Sequence, residues 1–442
     1  MDTKPKAFFV ICSYEYYQSY FETGTIQFFL NHYSLTLLVP ASLRGLDLFD
    51  IPYIVYEDIP SLIVQLFNGH CLRKTIVLSK SVTGFRLRLR RVHASLQYMV
   101  AYGPINLLRR LLRDLTNILF AYILPVGSRY LKSGVITTSY AKVLCGGDPD
   151  FIFLPCQAVN VEVFIASYLR RFCGLRSKEV LLVDNWDNLC SKSSFLVKPA
   201  FVGVYANQAM SFCDRIHSLQ SSSVFIWGSP RYQIYHNVCR DEEGSTLPFR
   251  ITYAGTSCFY DEIADLHSFA SAMSTVSKDY CISYLPHPWR TVPRKYRHLL
   301  SNPLPDKVTK VNRNGCRDLK YLYELLSNSS FTIAGPTSII LESLILKKKT
   351  IISLPDGKYS LQSPSEIYYG YEHFRGLESN PLVRVCSSLS DYTEALLWAV
   401  ASPSEDELSF SHEHLQFYVS TNQDFFRILL TTTKHPSYSH ES

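Results

Sequence analysis

The feature that most constrains this chain is a recurring short apolar run that ends in a polar, Gly- or Pro-bearing turn. Ser34–Pro40 (SLTLLVP), Phe151–Pro155 (FIFLP), Glu179–Val183 (EVLLV) and Thr350–Leu354 (TIISL) are too short for helices and lack period-two polar alternation. A strand that is apolar on both faces belongs in a parallel sheet covered by helices. Further strands are expected at Lys6–Ser13, Ile51–Tyr56, Ala200–Tyr205, Ser223–Trp227, Arg250–Ala254, Asp279–Leu285 and Phe331–Ile333. Helical stretches separate them at Ile26–Asn31, Val161–Cys173, Tyr260–Ser277, Asp318–Ser327 and from about Thr337. This alternation predicts βαβ units and an α/β fold.

The pattern runs twice. A polar, turn-rich stretch, Asp241–Pro248, interrupts it and reads as a hinge, and 442 residues suit two α/β domains better than one core. The expected organisation is an N-terminal Rossmann-like domain over 1–240 and a C-terminal one over 249–410. A last helical stretch near Glu413–Leu430 and a loose tail fill 411–442. Apolar residues at 47% and charged residues at 19% exclude a disordered chain. The apolar run near the N-terminus reads as a buried strand, not a secretion signal, and the longest apolar candidate, Leu107–Leu124, is broken by Arg109, Arg110, Arg113 and Asp114. A cytoplasmic location follows as the expectation. Twelve cysteines without metal-ligand spacing read as reduced thiols, and no metal site is expected.

Charge is uneven. Ten Lys or Arg and no Asp or Glu fall between Arg73 and Arg113. Such a stretch suits an anionic partner, an inner-membrane surface or a phosphorylated acceptor, or else forms a solvated helix face. No nucleic-acid motif accompanies it, and no nucleic-acid partner is expected.

Five turns at strand ends hold the candidate chemistry. In Ala334-Gly335-Pro336-Thr337-Ser338, a strand gives way to a helix start, where backbone N–H groups attract phosphate. Gly335 would let a ligand approach, Thr337 or Ser338 would cap the helix, and Glu342, one turn on, would accept from ribose hydroxyls or simply be an exposed glutamate. His287 and Arg290 in Pro286-His287-Pro288-Trp289-Arg290 follow another strand and would meet a diphosphate, unless the segment is a plain turn. Asp184-Asn185-Trp186-Asp187-Asn188, with Lys192 behind, offers carboxylates, amides and a stacking ring, with Asp184 or Asp187 as general base, or else forms a self-bonded Asx turn. Gly228-Ser229-Pro230-Arg231 and Gly255-Thr256-Ser257 are Gly-hydroxyl turns of phosphate-cradling type. No GxSxG, P-loop, HExxH or GxGxxG is present, and no Asp pair demands a metal.

Together VDNWDNLCSK, WGSPRY, PHPWR and AGPTSIILES resemble, in order and rough spacing over Gly147–Leu354, the bacterial surface-polysaccharide transferases of GT-B architecture. Close relatives of these are CDP-glycerol glycerophosphotransferase-like and nucleotide-sugar 2-epimerase-like proteins. The resemblance implies two Rossmann-like domains whose parallel sheets face a cleft, with the acceptor on the N-terminal domain and a nucleotide-sugar donor on the C-terminal one. It implies a final helix that crosses back to the first domain. It also implies donor contacts from His287, Arg290, Gly335, Thr337, Ser338 and Glu342. The expected activity is metal-independent transfer of a sugar to a surface-polysaccharide or lipid-linked glycan, with no cofactor beyond the nucleotide-sugar substrate. Polyol-phosphate transfer, epimerisation of the nucleotide sugar, or glycan binding without catalysis are the alternatives on the same scaffold.

Overall fold

The computed structural model describes residues 4–83, 86, 87, 89, 133–157, 160–192, 194–236, 248–257, 260–287, 298, 299, 301–311, 319–355 and 363–420. Two compact units emerge: residues 1–71, 123–233 and 416–442 in one, and 72–122 and 234–415 in the other. The proposed hinge, apart from Pro248, and nearly all of the basic stretch beyond Arg86 lie outside the described residues.

The first unit is built on seven parallel strands: β1 (Lys6–Val10), β2 (Ser34–Pro40), β3 (Tyr53–Tyr56), β4 (Phe151–Pro155), β5 (Lys178–Val183), β6 (Phe201–Val204) and β7 (Val224–Ile226). Their order is β3-β2-β1-β4-β5-β6-β7, so the direction of strand addition reverses between β1 and β4. The registers, such as Phe9 opposite Leu37 and Phe153, are all parallel. In β4 and β5 nearly every residue is buried, as an apolar run with no alternation requires of a two-sided sheet. Phe9, Phe29, Phe153, Leu182 and Trp227 belong to the core on one side.

The helices α1 (Tyr14–Phe21), α2 (Thr25–His32), α3 (Ser61–Leu78), α4 (Ser139–Gly147), α5 (Val161–Cys173), α6 (Asn188–Ser191), α7 (Asn207–Arg215) and α8 (Pro230–His236) follow these strands. Helix α5 shows why its ends were legible. The Asn160 side chain accepts from the Glu162 N–H at 2.7 Å, and Gly174 closes the helix in the left-handed conformation. Residues 416–420 join this unit, with the Ser420 N–H donating to the Tyr205 carbonyl at 2.9 Å.

The second unit repeats the plan with six parallel strands: β8 (Phe249–Ala254), β9 (Tyr280–Leu285), β10 (Val308–Lys310), β11 (Phe331–Ala334), β12 (Thr350–Ser353) and β13 (Val383–Cys386). Their order is β10-β9-β8-β11-β12-β13, with the reversal between β8 and β11. The helices are α9 (Glu262–Val276), α10 (Leu319–Ser327), α11 (Ile339–Ile345), α12 (Pro364–Gly370), α13 (Leu389–Val400) and α14 (Glu405–Leu415). Helix α14 starts at Glu405, where three acidic residues complement the positive end of the dipole, and stops at Leu415; of the expected Glu413–Leu430 helix, residues 416–420 are not helical and the rest lies outside the described residues. No described helix is long and apolar enough to cross a membrane.

Candidate functional site

In an open parallel sheet, ligands gather outside the C-terminal strand ends at the point where strand order reverses. In the second unit the turns after β8 and β11 stand there, so the fold brings Gly255-Thr256-Ser257 beside Gly335-Pro336-Thr337-Ser338. The Gly335 N–H donates to the Ala254 carbonyl at 3.2 Å. His287 follows the end of β9, the other neighbour of β8, and is half-buried. Arg290 lies outside the described residues.

Several roles read from the sequence change here. A Cβ on Gly335 would sit 2.2 Å from Thr256 Cγ2, so this glycine permits the close approach of two turns of the protein itself. A Cβ on Gly255 would meet the Glu262 carboxylate at 2.5 Å. That buried carboxylate also accepts from the Thr256 N–H at 3.2 Å and the Tyr284 hydroxyl at 2.5 Å, so the Thr256 amide serves the turn and not a phosphate. Ser338 occupies the N-cap of α11 but its side chain makes no capping hydrogen bond. Pro336 is buried, while Thr337 and Ser338 stay half-buried. Glu342 is 0% exposed, not the exposed glutamate of an amphipathic helix. Its α11 helix is packed all round, with neighbours Ile340, Leu341 and Ser343 fully buried as well.

The first unit gathers a different chemistry. Asp184 directly follows β5 and is 6% exposed. Its Oδ1 accepts from the Tyr20 hydroxyl at 3.2 Å, and the Trp227 Nε1–H donates to that same hydroxyl at 3.0 Å. The other oxygen, Oδ2, has no hydrogen-bond partner among the described residues. Burial pushes the Asp184 carboxyl well above the usual carboxylate range, against a weaker downward pull from Tyr20. Ser229 approaches the Asp184 carbonyl at 3.5 Å and is buried, so the turn after β7 meets the turn after β5. Gly228 has φ +76° and a Cβ there would press on the Ser420 carbonyl at 3.1 Å. Arg231 is half-buried in the first turn of α8.

Two residues of the motif after β5 are structural. Trp186 is buried, donating from Nε1 to Gln208 Oε1 at 2.9 Å and packing edge-on against Tyr418, so it is not a stacking face for an acceptor. Asp187 pairs with Lys192 at 3.0 Å and accepts from the Ser191 hydroxyl, which fixes the start of α6. Asp187 is therefore held by a cation and a hydroxyl of its own segment. Asn185 is half-buried, and Asn188 opens α6.

Sequence reasoning missed the residues around the β1–β4 reversal. Cys12 follows β1, Cys156 follows β4, and Tyr16 stands on α1. The Cys12 thiol is pushed well up, first by a hydrogen bond with Cys156 and then by burial. Burial likewise raises Cys156, with Glu162 and Asp184 both acting on it. The Tyr16 and Tyr140 hydroxyls are buried without hydrogen-bond partners among the described residues. Glu162, in the first turn of α5, is pushed up to about 7 by burial, against its own N–H, Asn160 and Tyr56. Burial thus shifts two carboxyls of this unit upward, Asp184 and Glu162, and both act on Cys156. A capping asparagine and a first-turn glutamate after a strand were the available signal.

Among the described residues no group of three His, Cys, Asp or Glu could hold a metal ion. Among the described residues Cys12, Cys71, Cys156, Cys190 and Cys213 form no disulfide.

No protein-family model matches the chain, and no curated protein matches it in sequence. Solved structures do match. The S. aureus protein MnaA, solved with UDP, gives a TM-score of 0.52 over 96% of this chain and 95% of that one, at 10% identity. The UDP-GlcNAc 2-epimerase from Neisseria meningitidis, solved with UDP-GlcNAc, gives 0.51 over 97% and 99%, at 11% identity. The glycotransferase of kitacinnamycin gives 0.50 over 97% and 99%, at 9% identity. The likeness is one of fold: two parallel-sheet, Rossmann-like α/β domains, the GT-B architecture.

Proposed function

We propose that the chain is a nucleotide-sugar-dependent glycosyltransferase that moves a sugar to a hydroxyl of a surface-polysaccharide or lipid-linked glycan. The observation that carries this reading is the juxtaposition, at the strand-order reversal of the second sheet, of Gly255–Ser257 with Gly335–Ser338, and with His287 one strand away. A nucleotide diphosphate would lie over those turns, with His287 stabilising the leaving group. The Glu342 carboxylate would take the ribose hydroxyls only if α11 shifts to expose it.

The first unit would supply the acid–base group. Asp184 is the better candidate than Asp187, because Asp184 Oδ2 has no hydrogen-bond partner among the described residues while Asp187 is held by Lys192. A carboxyl raised by burial accepts a proton more readily at neutral pH than an ordinary aspartate does. Asn185 would contact the acceptor beside it.

Epimerisation of the nucleotide sugar is the second reading on the same scaffold, and the upward-shifted carboxyls Asp184 and Glu162 are the groups it would draw on for moving a proton off and onto one carbon. Incubating the protein with UDP-sugars, with and without glycan acceptors, and following the anomeric and C2 protons by NMR separates the two. Conversion of the nucleotide sugar alone makes it an epimerase. UDP release that requires acceptor supports transfer. Neither process with any nucleotide sugar refutes both.

A further inference from the structure

At the opposite end of the first sheet from Asp184 lies a second concave site. The N-terminal ends of β5 and β6 and the C-terminal end of α5 enclose a groove of ≈ 730 Å³. Arg170, Arg171, Arg176, Lys178 and Lys198 line it, with Phe172 beside them. Two of the five cations are engaged. Arg170 clamps the fully buried Glu179 at 2.8 Å, and Lys198 donates to the Ser218 carbonyl at 2.5 Å. Arg171, Arg176 and Lys178 have no acidic partner among the described residues.

A solvated helix end accounts for part of this, since Arg170 and Arg171 complement the negative end of the α5 dipole. It does not account for Arg176 and Lys178, which come after the helix, or for a groove that all of them line. Phe172, 56% exposed, and the half-buried Leu196 and Val197 line the groove as well. Cations that converge on a pocket rimmed by an exposed ring and aliphatic side chains are suited to a phosphate group attached to an apolar body.

We infer that this groove binds a phosphate-bearing ligand through Arg171, Arg176 and Lys178, with Phe172 against its apolar part. The site is separate from the strand-end turns where the donor would bind and does not depend on the transferase reading. Phosphate oxygens can come from an anionic lipid headgroup or from a soluble phosphate, and the two sources are distinguished by experiment.

The test uses the full chain, and the Arg171→Gln/Arg176→Gln double variant. A second double variant, Lys142→Gln/Lys310→Gln, removes equal charge from exposed positions elsewhere. Each protein is sedimented with vesicles of phosphatidylcholine alone or mixed with phosphatidylglycerol, and titrated calorimetrically with inorganic pyrophosphate at constant ionic strength. Binding to the anionic vesicles that weakens roughly thirtyfold in the groove variant, but not in the control, places a lipid headgroup in the groove. Pyrophosphate binding lost in the groove variant, with vesicles ignored, assigns a soluble phosphate. No binding of either probe, or equal loss in both variants, overturns the site. Circular dichroism of each variant confirms that the fold is retained.

Discussion

Replacing Asp184 with asparagine should stabilise the protein at neutral pH while removing its proposed acid–base group. The reasoning is one of proton linkage. The Asp184 carboxyl is raised by burial, so its folded value lies above its value in the unfolded chain. Below the unfolded value both states hold the proton and the carboxyl has no effect on stability. As pH rises, the unfolded chain releases its proton first, and the wild type loses about 1.4 kcal/mol per pH unit until the folded carboxyl also ionises. Above that point the loss is constant. Asparagine does not titrate and still accepts from Tyr20. The stability difference between variant and wild type should therefore widen as pH rises from about 4, with a slope approaching about 1.4 kcal/mol per pH unit and the variant the more stable. Urea unfolding at several pH values, followed by circular dichroism and tryptophan fluorescence, measures it, and Trp227 reports directly because it donates to Tyr20. A variant that is less stable at every pH, with a constant difference, would refute the reasoning, because Asp184 would then be ionised and supported in the fold. Activity of the variant should fall by at least about a hundredfold.

Further perturbations follow the same logic. Glu162→Gln should remove a transition near pH 7 from the pH–rate profile, since Glu162 is raised to about 7; stability lost by the wild type between about pH 4.5 and 7 should be absent in the variant, as read by thermal unfolding across that range. Gly335→Ala should cost about 1–3 kcal/mol by driving a methyl onto Thr256, and Thr256→Ser in the same chain should recover much of it, which a double-mutant cycle measures. Arg170→Ala should cost about 3–5 kcal/mol by leaving Glu179 buried without its partner, whereas replacing both residues with matched apolar side chains should cost far less in the same denaturation assay.

The strands were legible because a parallel sheet buried on both faces leaves an unbroken apolar run; Ser34–Pro40 and Phe151–Pro155 coincide with the observed strands. Val308–Lys310, with two exposed residues at the sheet edge, lacks such a run and is not among the strands the sequence marks. Helix α5 was legible to the residue because both caps are local. Helix α1 was not: its five aromatic and three polar residues give no aliphatic stripe, and the sheet core decides which tyrosines are buried. At the candidate site, the strand-end turns were identifiable from Gly and hydroxyl residues, and the fold brings two of them together. What each atom touches was not identifiable. Trp186 looks like a ligand platform in sequence, yet Gln208, 22 positions away, takes its N–H. Glu262 and Tyr20 act on Thr256 and Asp184 through packing that no spacing encodes.

The most direct test of the central claim is the binding of nucleotides to the wild-type protein. UDP, CDP and GDP, with their sugar forms, are titrated while thermal unfolding is followed. A ligand at about a hundred times its dissociation constant should stabilise by about 2.7 kcal/mol. One nucleotide series that raises the melting temperature, with the rise lost in His287→Ala but kept in Asp184→Asn, is the predicted result. No shift with any nucleotide or nucleotide sugar would contradict the proposed donor site and with it the transferase function.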